Sequence, residues 1–383
     1  MDEELSTRVA AWDRALLDAT AAYIPDGPRT DVHVHLGVDA GTGEEMTLAA
    51  ITAQADQAQV EHAVLIPLHE SDGYGTANSR LASVAAASDG RFSFLARVDP
   101  AQVDEAGLDD AFEAGAVGIK LHPDSDEARP GDPRLRPVLE AVAERGGIVL
   151  VHAGIDVDGV SEEVLDVAKV LPDARFVIGH LAADRLGGIA RGSAPLDNVS
   201  ICTAWWGVSD LVWALSWNDP SRFVFGSDPP FGSMALGLSL TTRAARCAGY
   251  DDDDMRAVIH GNAARLLAGD PLPIERRDEG PRTGARTGML GRLPAHWQRA
   301  YVSLEVAAAL VEAGKDPATQ LQLAKAALEP ELIESGLEHD VELIDRAIRL
   351  ANDLFAASET RAAYIVTVGA QCLAGTSPLL RPN

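Results

Sequence analysis

The stretch TDVHVHLG, residues 30–37, alternates apolar residues with Asp31, His33 and His35. Alternate residues of a strand share a face, so these three polar side chains are expected to point the same way, and in a closed barrel that way is inward. Two imidazoles at neighbouring inward positions can clamp one ion. A bare H-x-H is weak evidence, because buried histidines often do no more than satisfy hydrogen bonds. The rest of the chain decides its weight.

Seven more β-rich runs come after it: HAVLIPL (62–68), FSFLARV (92–98), AVGIKL (116–121), GIVLVHA (147–153), RFVIGHL (175–181), NVSICTA (198–204) and RFVFGSD (222–228). Ala- and Leu-rich helical stretches separate them, at spacings that fit a strand, a crossover helix and two loops. Nearly continuous apolar strands are what a parallel sheet covered by helices requires. Eight such units predict an α/β chain with a (β/α)8 TIM barrel, distorted from the regular form, in place of an open doubly wound sheet. No G-x-G-x-x-G follows any of the runs, which also speaks against a dinucleotide fold.

The barrel is expected over residues 1–270, with an N-terminal helix in residues 1–28. Residues 271–293 are rich in Pro, Gly and Arg and predict a linker. Residues 294–383 predict an all-helical C-terminal region, with apolar residues at three- and four-residue steps in HWQRAYVSLEVAAALVEAG (296–314), ATQLQLAKAALEPELIESG (318–336) and HDVELIDRAIRLANDLFAAS (339–358). That region can pair two copies as a homodimer, cover the barrel mouth or bind a partner, and the sequence does not choose among them.

The 383 residues are 46% hydrophobic, enough to bury a large core. With 58 acidic against 32 basic residues, the formal charge of −26 repels nucleic-acid backbones and anionic membranes, so a small molecule is the expected partner. Asp251–Asp254 is expected to be a solvated turn opening a helix. Three scattered cysteines make neither a disulfide framework nor a zinc ribbon, and the acidic N-terminal stretch has no signal-like apolar core, which points to the cytoplasm.

Four more groups fall at the ends of the runs, where barrel enzymes keep their chemistry: Lys120 on the fourth, His152 on the fifth, His180 on the sixth and Asp228 on the eighth. Imidazole and carboxylate suit a borderline divalent ion, and a catalytic ion keeps one position open. The pieces DVHVHLG, GAVGIKLHP, IVLVHAG, FVIGHLAA, FVFGSDPP and GNAARLL resemble, in order and over residues 28–268, the amidohydrolase superfamily. The likeness is greatest to its branch of metal-dependent hydrolases and decarboxylases related to aminocarboxymuconate-semialdehyde decarboxylase.

That resemblance implies His33, His35, His152 and Asp228 as ligands of a divalent metal, with His180 as acid/base or oxyanion partner. Lys120 leaves two readings open: a free ammonium beside one ion, or a carboxylated lysine bridging two. The ion implied is Zn2+, with Mn2+ and Fe2+ compatible with the same donors. The expected chemistry is a metal-activated water attacking an amide, ester or lactone carbonyl, with Asp228 taking its proton. The alternative at the same site is nonoxidative decarboxylation of a small carboxylic acid, and a third reading is a non-catalytic binding barrel.

Arg97, at the end of the third run, is either a clamp for a substrate carboxylate or half of a structural ion pair. Trp205, Trp206 and Phe231 fall in loops that would line a substrate pocket, or simply pack. His69 and His122 suit supporting roles near the rim, and Asn262 of GNAARLL is expected to bond to backbone.

Overall fold

The structure is a computed structural model that describes residues 1–99, 105–185, 189, 196–273, 288–329 and 332–380. Eight parallel strands are present: β1 Thr30–Val38, β2 His62–Pro67, β3 Phe92–Phe94 resuming at Ala96–Arg97, β4 Gly118–Leu121, β5 Ile148–Val151, β6 Arg175–Ile178, β7 Val199–Cys202 and β8 Phe223–Val224. They pair in chain order, β1 to β3 in one sheet and β3 to β8 in another. Isolated backbone hydrogen bonds close both seams. Val117 N donates to Phe94 O at 2.9 Å, and on the far side Val32 N donates to Phe225 O at 2.9 Å and Asp228 N to His33 O at 2.8 Å. The chain is therefore a closed TIM barrel, and the expected distortion lies at these seams. The additional pair, Glu45–Met46 antiparallel to Gly37 and Val38, extends β1 into a short ribbon.

Strand residues sort onto two sides. Val32, Val64, Ile66, Leu95, Leu150, Val177 and Val224 form an interior core, plugged by Ala263 and Leu266 of the GNAARLL helix, while Val34, Leu65, Ile119 and Phe176 join the larger core beneath the surrounding helices. Asn262 donates to the carbonyls of Pro220 and Phe223 at 2.9 and 2.8 Å, tying that plug to the last strand.

The face assignment of β1 needs a correction. Its register against β2 slips between Asp31 and Val34, so that Asp31 opposes Ala63 of the outer core whereas His35 opposes Ile66 of the interior. The extra residue is a β-bulge, a device that re-aims side chains beside active sites. His33 and His35 face inward, and Asp31 lies on the opposite side, so the three do not share a face.

The C-terminal helices are α11 Ala295–Glu312, α12 Ala318–Ala327, α13 Glu338–Ala356 and α14 Thr360–Leu380, counting α1 Glu3–Asp18, α2 Leu48–Ala58, α3 Gly75–Ala86, α4 Glu105–Glu113, α5 Arg136–Glu144, α6 Val160–Val170, α7 Val208–Trp217, α8 Met234–Cys247, α9 Asp252–Arg256 and α10 Asn262–Ala268 before them. The second of the expected helical stretches ends at Ala327, three residues before Pro330, because a residue preceding proline is pushed out of the helical region. Asp251 caps α9 with a reciprocal bond from Asp254, which accounts for the acidic run.

This helical region is not a detached appendage. Its residues belong to the same continuous core as the barrel helices. A Cβ at Gly369 of α14 would stand 3.0 Å from the Trp12 ring of α1, so glycine sets that close approach. Arg243 of α8, 1% exposed, donates to Thr376 and Ser377 of α14 and to the Ala19 carbonyl, joining three elements. Most of the expected linker, residues 274–287, lies outside the described residues. Its end does not behave as a linker, because Met289 and Leu293 are buried around a turn at Leu290–Arg292. By length and hydropathy α14 could cross a membrane, but 78% of its apolar window is buried within the protein, the mark of a core helix.

Candidate metal centre

At the C-terminal ends of the strands, His33 Nε2 and His35 Nε2 lie 3.2 and 3.0 Å from the same oxygen, Asp228 Oδ1. One donor atom from each of these three buried residues lies within 4.8 Å of the others. Neither imidazole meets Oδ1 with the geometry of a hydrogen bond, so among the described residues this buried oxygen has no hydrogen-bond partner, nor has His35 Nδ1. An unpaired buried carboxylate oxygen costs several kcal/mol, roughly, unless something absent from the side-chain inventory satisfies it. A divalent cation does, and the donor set of two imidazoles and a carboxylate fits one.

Local structure explains how the three meet. Asp31, behind the bulge, accepts from His33 N at 3.0 Å and Ser227 N at 3.1 Å, and its other oxygen takes the Ser227 hydroxyl. It thereby locks β1 to the segment that carries Asp228. Asp228 itself sits at φ 55°, a left-handed conformation that surrounding contacts must hold. Gly226 packs its backbone against the His33 Cβ and the Cys202 sulfur, where any side chain would collide.

Electrostatics keep the imidazoles neutral, the form that binds a metal. Burial, followed by the charge of Lys120, holds His33 well below the usual histidine range, and burial lowers His35. Burial pushes Asp228 upward, but His35, His180 and Lys120 together outweigh it and hold the carboxyl below its ordinary value. Lys120 is 1% exposed, its Nζ lies 3.5 Å from His33 Nε2, and burial lowers its amine to about 8.

His180 adjoins the trio, its ring 5.1 Å from that of His33 and its Nδ1 3.9 Å from Asp228 Oδ2. It lies in a left-handed run, φ 50°, 59° and 55° over His180, Leu181 and Ala182. Its Nδ1 donates to the Ala204 carbonyl at 3.1 Å, and because a carbonyl only accepts, Nε2 is left without a proton in the neutral ring. Burial, then His152, lowers this imidazole to about 3.

His152 is not one of the trio, although its ring lies 4.4 Å from that of His180 in the lining of a shared cavity. Its Nε2 donates to both oxygens of Asp156 at 2.9 Å, and its ring stacks on His122 at 4.0 Å, so the structure does not bring it into the ligand cluster expected of it. Arg97 lines the cavity, but its charge is engaged by an ion pair. Its guanidinium, 2% exposed, donates from Nε to Asp126 Oδ2 at 2.7 Å and from Nη2 to Ser125 Oγ at 2.5 Å, and lies over the Tyr74 ring. Tyr74 donates to the other Asp126 oxygen at 2.5 Å, and His69 Nδ1 lies 3.1 Å from the Tyr74 hydroxyl. Of the two readings of Arg97, the structure shows the ion pair. The loop after β4 carries its partner Asp126, which no strand-end pattern signals.

Above the trio opens a cavity of about 850 Å3. Trp205, Trp206 and Phe231 line it, with the Phe231 and His35 ring centroids 5.9 Å apart and the rings nearly perpendicular. One wall consists of residues from α11 and α14, among them Glu305, Glu312, Tyr364 and Gln371. The C-terminal helices therefore cover the barrel mouth, one of the three roles the sequence left open.

The profile of the amidohydrolase family matches residues 30–268, more than half of the chain and all of the barrel strands. This chain belongs to the amidohydrolase family. No curated protein matches it. Among solved structures, the amidohydrolase is similar to a TIM-barrel protein of Bordetella bronchiseptica, at 18% identity, TM-score 0.52, covering 63% of this chain and 99% of the other. It is also similar to a Pseudomonas putida protein assigned as a 2-pyrone-4,6-dicarboxylic acid hydrolase, at 18% identity, TM-score 0.51 and coverage of 64% and 99%. A third likeness is to 2,6-dihydroxybenzoate decarboxylase from Rhizobium, at 14% identity, TM-score 0.51 and coverage of 63% and 99%. At such identities the likeness carries the fold and leaves the reaction of this amidohydrolase to its own residues.

Proposed function

We propose that the protein is a metal-dependent hydrolase that cleaves an amide, ester or lactone bond of a small molecule, with His33, His35 and Asp228 holding one divalent ion. The observation that carries this is the orphaned Asp228 oxygen set between two neutral imidazole nitrogens. Zinc is the ion the donors suit best. Such an ion, when bound, acidifies a water to a pKa of about 7 and polarises the substrate carbonyl.

The chain's own groups supply the rest. Asp228, held below the ordinary carboxyl range, is ionised at neutral pH and can take the proton of the attacking water, then return it to the leaving group. His180, fixed by the Ala204 carbonyl, offers Nε2 as an acceptor that orients the water. The buried Lys120 amine is a donor for the developing oxyanion. Trp205, Trp206 and Phe231 provide flat apolar surface for an acyl or aryl group.

Two features favour hydrolysis over decarboxylation. Decarboxylation of an unsaturated acid needs a proton donor and a carboxylate clamp. The neutral His180 ring has no proton on the nitrogen that remains free and the Arg97 charge is already matched by Asp126, which leaves Lys120 alone among the described cations of the lining to serve as both donor and clamp. The zinc-loaded protein, incubated with a panel of small amides, esters, lactones and aryl carboxylates in 18O-enriched water, is expected to place one solvent oxygen in an acid product. Release of carbon dioxide from a carboxylate, with no hydrolysis of any panel member, would overturn the assignment.

A further inference from the structure

The cavity is strongly acidic, with Asp39, Asp124, Asp156, Asp228, Glu305 and Glu312 all among its lining. Among the described residues that line it, the cations are Arg97 and Lys120, both near the strand ends, and Arg97 is neutralised by Asp126. The outer wall is anionic. Glu305 and Glu312 lie seven residues apart on α11, two turns that return to the same face, and both line the cavity along with Ala308 and Ala309. The two small residues between them leave room for a ligand to lie against the helix over about 10 Å of its length. Among the described residues, neither glutamate has a cationic side chain within ion-pair distance. Arg361 leans over Phe231 and is paired with Glu44 at 3.4 Å.

A second observation points to a ligand at the same wall. Gln371 of α14 is 4% exposed and lines the cavity, yet its amide makes no hydrogen bond among the described residues. The side chain is thus held in the wall with its amide opening onto the chamber, where it can both donate to and accept from whatever enters. Its carbonyl accepts an N–H as readily as its amide donates.

Resting on the hydrolase reading above, we propose that the substrate carries a cationic group, a primary ammonium or guanidinium several bonds from the scissile carbonyl, received by Glu305, Glu312 and Gln371. The carbonyl end then lies at the strand ends and the cationic end against the C-terminal helices. On this account α11 and α14, outside the matched family region, set specificity, and the substrate class is that of small acyl compounds bearing a distal amine.

Calorimetric titration of the full-length protein, zinc-loaded and metal-free, with 4-phenylbutylamine, 4-phenylbutanol and 4-phenylbutyrate tests this. The amine is expected to bind about fivefold or more tightly than the alcohol in both forms, with a preference that shrinks as salt rises. In the double variant Glu305→Gln/Glu312→Gln the amine is expected to bind no more tightly than the alcohol, with an unchanged melting temperature, both positions being exposed. Gln371→Leu should weaken the amine and spare the alcohol. Equal binding of amine and alcohol, a preference for the butyrate in the metal-free protein, a preference that survives the double variant, or no binding by any of the three overturns the proposal. Because the metal-free form is included, that failure is distinct from failure of the hydrolase reading, which the zinc-dependent 18O experiment decides.

Discussion

Removing Asp126 should unbalance the floor of the cavity. Its side chain is 3% exposed and accepts from Arg97 at 2.7 Å and from Tyr74 at 2.5 Å, while Arg97 is 2% exposed. Breaking a buried pair by deleting one partner typically costs about 3–5 kcal/mol, because the remaining charge has lost its compensation. Asp126→Ala should therefore lower the unfolding free energy by about that much, read as a fall in the urea midpoint. The vacated space and the freed guanidinium together make a carboxylate site that the native protein lacks. Added acetate should restore stability in the variant by roughly 1.4 kcal/mol at a concentration ten times its dissociation constant, and leave the native protein unmoved. A loss below about 1 kcal/mol, the range of an exposed pair, together with no response to acetate, would show that Arg97 is not held as described and would reopen its role as a substrate clamp.

Two further substitutions test other parts of the account. Asp13 of α1 is 7% exposed with one oxygen unpartnered, and burial pushes its carboxyl from 3.8 up to about 7. The folded state thus keeps a proton that the unfolded chain releases, so stability is greatest below pH 3.8 for this group and declines as pH rises to 7; Asp13→Asn should flatten that decline and stabilise the protein at pH 8 by at most about 4 kcal/mol, seen by urea melts at pH 5 and pH 8. In α8, a Cβ at Gly237 would stand 2.8 Å from Ser227 Cβ and 2.9 Å from its Cα. Gly237→Ala should cost about 1–3 kcal/mol and, by displacing the segment that carries Asp228, weaken zinc binding in a competitive chelator titration.

How much the sequence made legible depends on how local each signal is. Eight apolar runs of strand length, separated by helical periodicity, were enough for the barrel, since each unit reports its own burial. The strand-end positions of His33, His35, Lys120, His180 and Asp228 were readable for the same reason, and these five do gather at one mouth. The bulge was not. A one-residue slip in register leaves no mark in composition, so strict alternation put Asp31 on the wrong face, and its part in locking Ser227 was hidden. His152 and Arg97 show a second limit. Each was placed by its strand, but a neighbouring loop supplies a carboxylate, Asp156 or Asp126, that engages it. The wall contributed by α11 and α14 depends on docking over a large sequence separation, which no helical period encodes.

The central claim is that His33, His35 and Asp228 grip one divalent cation, and equilibrium dialysis against zinc followed by elemental analysis tests it most directly. The native protein should hold one zinc per chain, and folded His33→Ala and Asp228→Asn variants should hold close to none, while His296→Ala, at a helix far along the chain, should keep its full content. A native protein that takes up no zinc, or variants that retain it in full, would contradict the account.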